Sequence, residues 1–291
     1  MLSAVMFAVL NIADKVILTD LGLRVRSFLL FIGLQTLLTA VVISIVNPFP
    51  SADAGVYVRG LAVGVMWGIG APLVMQALSR EEVSRVAPIS QSYPLLVVIL
   101  AVVFLGESLT LLESVAAALA IGGALLAAVR RSAGGGLQMS RVLGYLVVAV
   151  VIVAVAQVLL KTVTDDLSFW HAFGLRGAGM AAVLIPMNLR PAFARDLARC
   201  ATSPKLLVAL AVDAGVATIA LVLVTFAIAT GPVSLVSAVA GTTPLIVFVL
   251  SALLAWKTAL LVDETLEARV IAQKLVAAGM VVSGLMLIAL T

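Results

Sequence analysis

Asn11 precedes Asp14 by three residues and Lys15 by four, a spacing that gathers all three on one face of a helix. A carboxylate beside an ammonium suits the two ends of a zwitterion, with lysine for an anionic group and aspartate for an amine. Gln157 and Lys161 repeat the four-residue spacing, while Arg176 and Asp213 stand in long apolar runs. A charge at mid-bilayer costs several kcal/mol, with estimates from roughly 3 to over 10, so each needs a partner or a water-filled cavity. Near a helix end a lysine can instead snorkel to the surface, as Lys161 could.

Three prolines, Pro88, Pro94 and Pro244, interrupt apolar runs and free backbone carbonyls. Ser90, Gln91, Tyr93, Thr242 and Thr243 surround those breaks. The prolines read as hinges and the polar residues as substrate hydrogen-bonding groups. Trp67 and Gln76 are further candidates for the lining, and His171, after Trp170, reads as interfacial. Enzyme motifs are missing. A single histidine rules out HExxH and histidine-rich metal sites. No GxxxxGK[ST] loop occurs, and Gly106-Glu107-Ser108 lacks the second glycine of a nucleophile elbow. No catalytic residue, metal or cofactor is expected.

The elements that carry these residues follow from composition. Of 291 residues 63% are apolar and 11% charged, with a mean hydropathy of +1.25. A soluble domain is about 25% charged, so this chain cannot coat a water-soluble surface. Cys200 is the only cysteine, which excludes a disulfide scaffold. The apolar content excludes disorder. The net charge of +4 does not point to nucleic acid, because the basic residues sit in short loops where they set topology. Long continuous runs favour helices of about 20 residues over barrel strands. Met1 to Leu10 has no basic region and no cleavage site, and reads as the start of the first span.

Ten spans are predicted, at about 2–19, 26–46, 58–78, 84–105, 111–129, 142–163, 169–189, 206–229, 233–256 and 270–290. The partners implied are the lipid bilayer of the cell membrane and a small-molecule substrate. Arg190 to Lys205, basic and weakly amphipathic, is expected to lie along a membrane surface or to be a solvated loop. Span eight runs antiparallel to span one, which brings Asp213 to the depth of Lys15. Lys15 is therefore its expected partner, with Lys161 near the opposite face.

The chain also repeats internally. A shift of 150 lays Val83, Ser84, Val86, Pro94 and Leu95 on Val233, Ser234, Val236, Pro244 and Leu245. A shift of 146 lays Asn11 on Gln157 and Lys15 on Lys161. A shift of 157 lays Glu107, Leu109 and Gly122 on Glu264, Leu266 and Gly279. Residues 1–130 and 142–291 thus read as two five-span units joined by a glycine-rich linker, 131–141. An odd number of spans per unit makes the second enter from the opposite side, an inverted repeat.

The stretch from Ala77-Leu78-Ser79-Arg80 through Ser84, Pro88 and Tyr93-Pro94 to Leu105-Gly106-Glu107-Ser108-Leu109-Thr110, with Gly122 and Gly123, resembles the EamA-type domain of the drug/metabolite transporter superfamily. Ala227, Gly231-Pro232-Val233-Ser234, Pro244 and Gly279 look like a second copy. That copy departs at Ala255-Trp256-Lys257 and Asp263-Glu264. The resemblance implies an all-α membrane protein of ten helices in two inverted five-helix repeats around a central cavity. It also implies a transporter of a small polar or amphipathic metabolite, an amino acid among the options, moved by alternating access, with a proton as a candidate coupling ion. A lipid or lipid-linked flippase on the same fold, with Arg190, Arg195 and Arg199 as a basic rim, is the alternative. Lys and Arg concentrate in the loops after odd-numbered spans, which places both termini outside; the resemblance implies both inside. Oligomeric state is left open.

Overall fold

The computed structural model describes residues 1–78, 90, 92–128, 141–200, 203–243, 246, 247, 249, 250 and the helical positions 276, 277, 279, 280, 282–284, 286 and 287. Every element among them is helical. In chain order they are α1 (Leu2–Lys15), a π-helical turn (Val16–Asp20), α2 (Val25–Val46), α3 (Ala54–Leu78), α4 (Tyr93–Leu105), α5 (Leu111–Ala128), α6 (Arg141–Asp166), α7 (Phe169–Asn188), α8 (Pro191–Cys200), α9 (Pro204–Thr230) and α10 (Val233–Ala240). Pro88, Gln91, Pro244 and nearly all of the 131–141 linker lie outside the described residues, as do the matched positions Val83, Ser84, Val86, Leu245, Glu264 and Leu266.

Among the described residues four segments are long and apolar enough to cross a membrane: Val25–Val46, Ala54–Ala77, Gly144–Asp166 and Pro204–Thr230. α7 and α8 reach that length and apolarity only together, with a bend of 110° between them. Tyr93–Leu105 and Leu111–Gly123 are shorter apolar helices. Outward-facing side chains are apolar even where bare; Ile45 is 74% exposed and Phe104 73%. A surface of that kind is compatible with lipid and not with water.

The closest-packed helix pairs are α2 with α7, α3 with α7, α3 with α6, α1 with α9 and α4 with α10. Each joins a helix from the first 129 residues to one from the second part of the chain. Lipid tails are as apolar as leucine, so such packing depends on small residues that let backbones approach. Gly60, Gly64 and Gly68, one turn apart on α3, meet α7 in this way. A Cβ on Gly64 would fall 2.1 Å from the carbonyl oxygen of Arg176 and 2.7 Å from Cα of Gly179. A Cβ on Gly179 would fall 2.2 Å from the Leu61 carbonyl oxygen. Near the chain's end, a Cβ on Gly284 would lie 2.7 Å from the Ala116 carbonyl oxygen, so the helical residues there pack closely on α5.

Within the segment from Arg190 to Lys205, Pro191–Cys200 forms α8, which is amphipathic and turned across the end of α7. Ser27 donates its hydroxyl to Asp196 at 3.0 Å, Arg24 bonds the same carboxylate, and Arg24 Nη2 also donates to the Ala192 carbonyl at 3.3 Å. The bond from Arg24 holds the Asp196 carboxyl below the usual carboxylate range.

Two breaks in the helices stand 150 residues apart. A turn at Ser92 precedes α4, which carries Pro94 in its first turn, where a missing N–H costs little. A turn at Gly241 and Thr242 ends α10, 150 residues on from the first break, and the helical state resumes at Thr243.

Gly106-Glu107, at the end of α4, reaches the start of α10. Gly106 takes φ +65°, a left-handed conformation that glycine adopts freely. The turn it makes carries the Glu107 carboxylate to the start of α10. There Glu107 accepts the backbone N–H of Val233 at 2.8 Å and of Ser234 at 3.2 Å, together with the Ser234 hydroxyl. It satisfies orphan donors of a helix N-terminus and complements the helix dipole. Glu107→Ala leaves those donors unpaired. The expected loss is about 1–2 kcal/mol, read as a lower thermal unfolding midpoint in detergent; an unchanged midpoint contradicts the capping role.

Candidate functional site

Arg176 lies on α7 about 10 Å from the helix start at 1.5 Å per residue, too deep for easy escape to water. It is 4% exposed. Its Cζ stands 4.7 Å from the centroid of the Trp67 ring on α3, a cation–π contact. The helix approach at Gly64 explains this placement, since Trp67 follows Gly64 by three residues and shares its face. Tyr93, at the start of α4, is within electrostatic reach of the guanidinium. Arg176 Nη1 and Trp67 Nε1 are both buried without a hydrogen-bond partner among the described residues. A buried guanidinium with a free N–H is a donor prepared for a planar anion such as a carboxylate.

Arg176 also lines a cavity between α2, α7 and α9. The other lining residues are Gln35, Thr36 and Thr39 of α2, Phe173, Gly177 and Met180 of α7, and Thr218 and Leu221 of α9. One wall offers hydroxyls and an amide, and the other is apolar. Gln35 Nε2 donates to the Ala214 carbonyl at 2.9 Å and to Thr218 Oγ1 at 3.1 Å. Thr218 Oγ1 donates in turn to the Ala214 carbonyl at 2.8 Å. This polar line runs along α9 towards Asp213.

Asp213, 2% exposed, lies near Asp14 on α1, against which α9 packs. Its Oδ1 has no hydrogen-bond partner among the described residues. Sequence depth pointed to Lys15 as the partner of Asp213. The side chain of Lys15 lies outside the described residues.

The remaining candidates scatter. Lys161 is tied to Asp165 at 3.0 Å near the end of α6, the arrangement of a surface ion pair. Asn11 is exposed and returns its amide to the Phe7 carbonyl at 2.8 Å. Gln76 is exposed and Ser90 half-buried. Gln157 is 4% exposed with an unpartnered Oε1. Thr242 and Thr243 are buried and bond the carbonyls of Val239 and Ala240, each at 2.7 Å. His171 bridges the Ser168 hydroxyl at 2.7 Å and the Pro48 carbonyl oxygen at 3.2 Å, at the junction of α2 and α7. Sequence reading did not single out Gln35, Thr36, Thr39 and Thr218. Their signal was present, as Gln35 and Thr39 stand one turn apart in a run otherwise rich in leucine and valine.

Comparison with known proteins agrees with this architecture. Residues 1–129 match the EamA-like transporter family. No curated protein matches the chain significantly. A solved crystal structure superposes over 99% of this chain and 94% of its own with a TM-score of 0.70 at 17% identity, a likeness of fold.

A buried charge with an unpartnered N–H is a burden on the folded state. Arg176→Met retains a side chain that packs on Trp67 and removes the unpartnered guanidinium. The variant should be more stable by about 1 kcal/mol, the sign seen when buried ionic groups give way to apolar ones, as measured by thermal unfolding in detergent. A lower midpoint would mark the guanidinium as structural.

Proposed function

We propose that this chain, whose residues 1–129 match the EamA-like transporter family, is a secondary transporter that takes small amphipathic carboxylates through a cavity between its two halves. The coarse part of that statement follows from the family and the apolar spans: the protein is a multi-pass membrane transporter. The substrate and the alternating-access cycle are our reading.

One observation carries the substrate class. Arg176 is buried, held over Trp67, and presents an unpartnered N–H beside a cavity with one polar and one apolar wall. A carboxylate bonded to Arg176 leaves the rest of a small molecule against Phe173, Met180 and Leu221. An ammonium group on that molecule meets the hydroxyls of Thr36, Thr39 and Thr218 or the Gln35 amide oxygen. Apolar amino acids combine these features.

Alternating access is supported by the packing. The closest helix pairs all join the first part of the chain to the second, so a rocking of one half against the other opens the cavity to each side in turn. The breaks at Ser92 and Thr242 stand 150 residues apart, the shift at which the sequence repeats, and this supports reading them as hinges of an inverted repeat.

Uptake of radiolabelled leucine, methionine and phenylalanine into proteoliposomes tests the reading. Wild-type protein should take up at least one of them, and Arg176→Gln should lower that uptake at least about tenfold, the equivalent of about 1.4 kcal/mol of lost recognition. Unaltered uptake by a folded Arg176→Gln protein overturns the assignment of Arg176.

A further inference from the structure

Each hydroxyl on the polar wall of the cavity gives its proton to a backbone carbonyl. Thr36 Oγ1 donates to the carbonyl oxygens of Ile32 and Gly33, each at 3.0 Å, and Thr39 Oγ1 to that of Gln35 at 2.9 Å. Thr218 Oγ1 donates to the Ala214 carbonyl oxygen at 2.8 Å. A hydroxyl has a single hydrogen to give and lone pairs to receive with, so these oxygens face a ligand as acceptors. The Gln35 amide is in the same condition. Its nitrogen donates to the Ala214 carbonyl oxygen at 2.9 Å and to Thr218 Oγ1 at 3.1 Å, which uses both amide hydrogens. A carbonyl oxygen only accepts, so the NH2 side of the amide must face Ala214, and Gln35 Oε1 offers lone pairs only.

We propose that Gln35, Thr36, Thr39 and Thr218 form a subsite for a primary ammonium group, so that the cavity selects zwitterions and turns away carboxylates of the same shape that lack an N–H. The inference rests on the carboxylate reading of Arg176 and narrows it. An ammonium group carries three N–H donors and no lone pair, the complement of a wall that accepts and does not donate. A hydroxyl in the same place supplies a single hydrogen. A 2-oxo group supplies none, and sets its own lone pairs against those of the wall.

The rest of the lining agrees. Arg176 supplies its charged donors, and Phe173, Gly177, Met180 and Leu221 bring no polar side chain. No carboxylate lines the cavity, so no side chain there competes with a substrate for Arg176, and the ammonium is held by neutral oxygens. Gln35 has the central part. Its two N–H bonds tie α2 to Ala214 and Thr218 of α9, which keeps the amide from turning round to donate to an anion. A polar group buried without its partner costs free energy, and a site built to bond a substrate N–H discriminates strongly against the analogue without it.

Isothermal titration calorimetry of the purified protein in detergent tests this with leucine, 2-hydroxy-4-methylpentanoate and 4-methyl-2-oxopentanoate. The three share a carboxylate and an isobutyl group and differ only in the group beside the carboxylate. Affinity should fall in that order, by at least about tenfold from leucine to the oxo acid. Gln35→Met and Thr39→Val, each checked for helical content by circular dichroism, should weaken leucine and leave the oxo acid unchanged, so that the preference shrinks in both. Arg176→Gln should instead weaken all three. Equal affinity for the three in wild type, or a preference undiminished in both folded variants, overturns the ammonium subsite and leaves the carboxylate reading in place. Leucinamide, which keeps the ammonium and lacks the carboxylate, separates the two readings. Leucinamide bound as tightly as leucine, with the oxo acid weak, overturns the assignment of Arg176 and leaves the subsite standing. If none of the four binds, both readings fall.

Discussion

The approach of α3 and α7 at Gly64 and Gly179 is the constraint on which the polar centre depends. With hydrogen in place of a methyl group, the Gly64 backbone sits against the Arg176 carbonyl and Gly179 against that of Leu61. The next residue on the same face of α3 is Trp67, and that spacing alone brings its ring over the guanidinium. A larger residue at either glycine pushes the helices apart and pulls the ring from the charge. The helix contact and the binding group are thus set by one geometry, and it lies between the two halves of the chain.

Two buried polar centres result, at different depths. Arg176 lies towards the α7 start, while Asp14 and Asp213 lie towards the opposite ends of α1 and α9. Gln35 and Thr218 bridge them along α9. Neither centre is neutralised by the other, as fixed ion pairs elsewhere in the protein are. Where a charge has only a structural role, this chain pairs it close to an aqueous face, as Lys161 with Asp165 and Arg24 with Asp196 show. On the proposed reading, the unpaired guanidinium inside is what an anionic ligand requires, and it persists at the expense of stability.

Much of the scaffold was legible from residue pattern because apolar run length and turn chemistry act locally. The runs over 26–46, 142–163 and 206–229 became α2, α6 and α9 within a few residues. Gly106-Glu107 was visible as a turn, although its reach to Val233 and Ser234 was not, since a cap across 126 residues leaves no local trace. Arg176 and Asp213 were found because an isolated charge in an apolar run is costly and so conspicuous. Which residue of α1 faces Asp213 was not legible, because depth along a helix can be counted while rotation about its axis is set by packing. The hydroxyl and amide wall of the cavity passed unnoticed because threonine and glutamine fit apolar helices at little cost, with Thr36 and Thr39 bonding carbonyls of their own helix.

The claim that Arg176 under Trp67 is the anion-recognition group is tested most directly by the emission of Trp67. In a variant with Trp170 and Trp256 replaced by phenylalanine, Trp67 is the single tryptophan. Leucine, titrated against leucinamide, which lacks the carboxylate, separates recognition of the anion from apolar contact. This account predicts a saturable change in Trp67 emission with leucine and none with leucinamide. An equal response to both, or a response to leucine that survives Arg176→Gln, would contradict it.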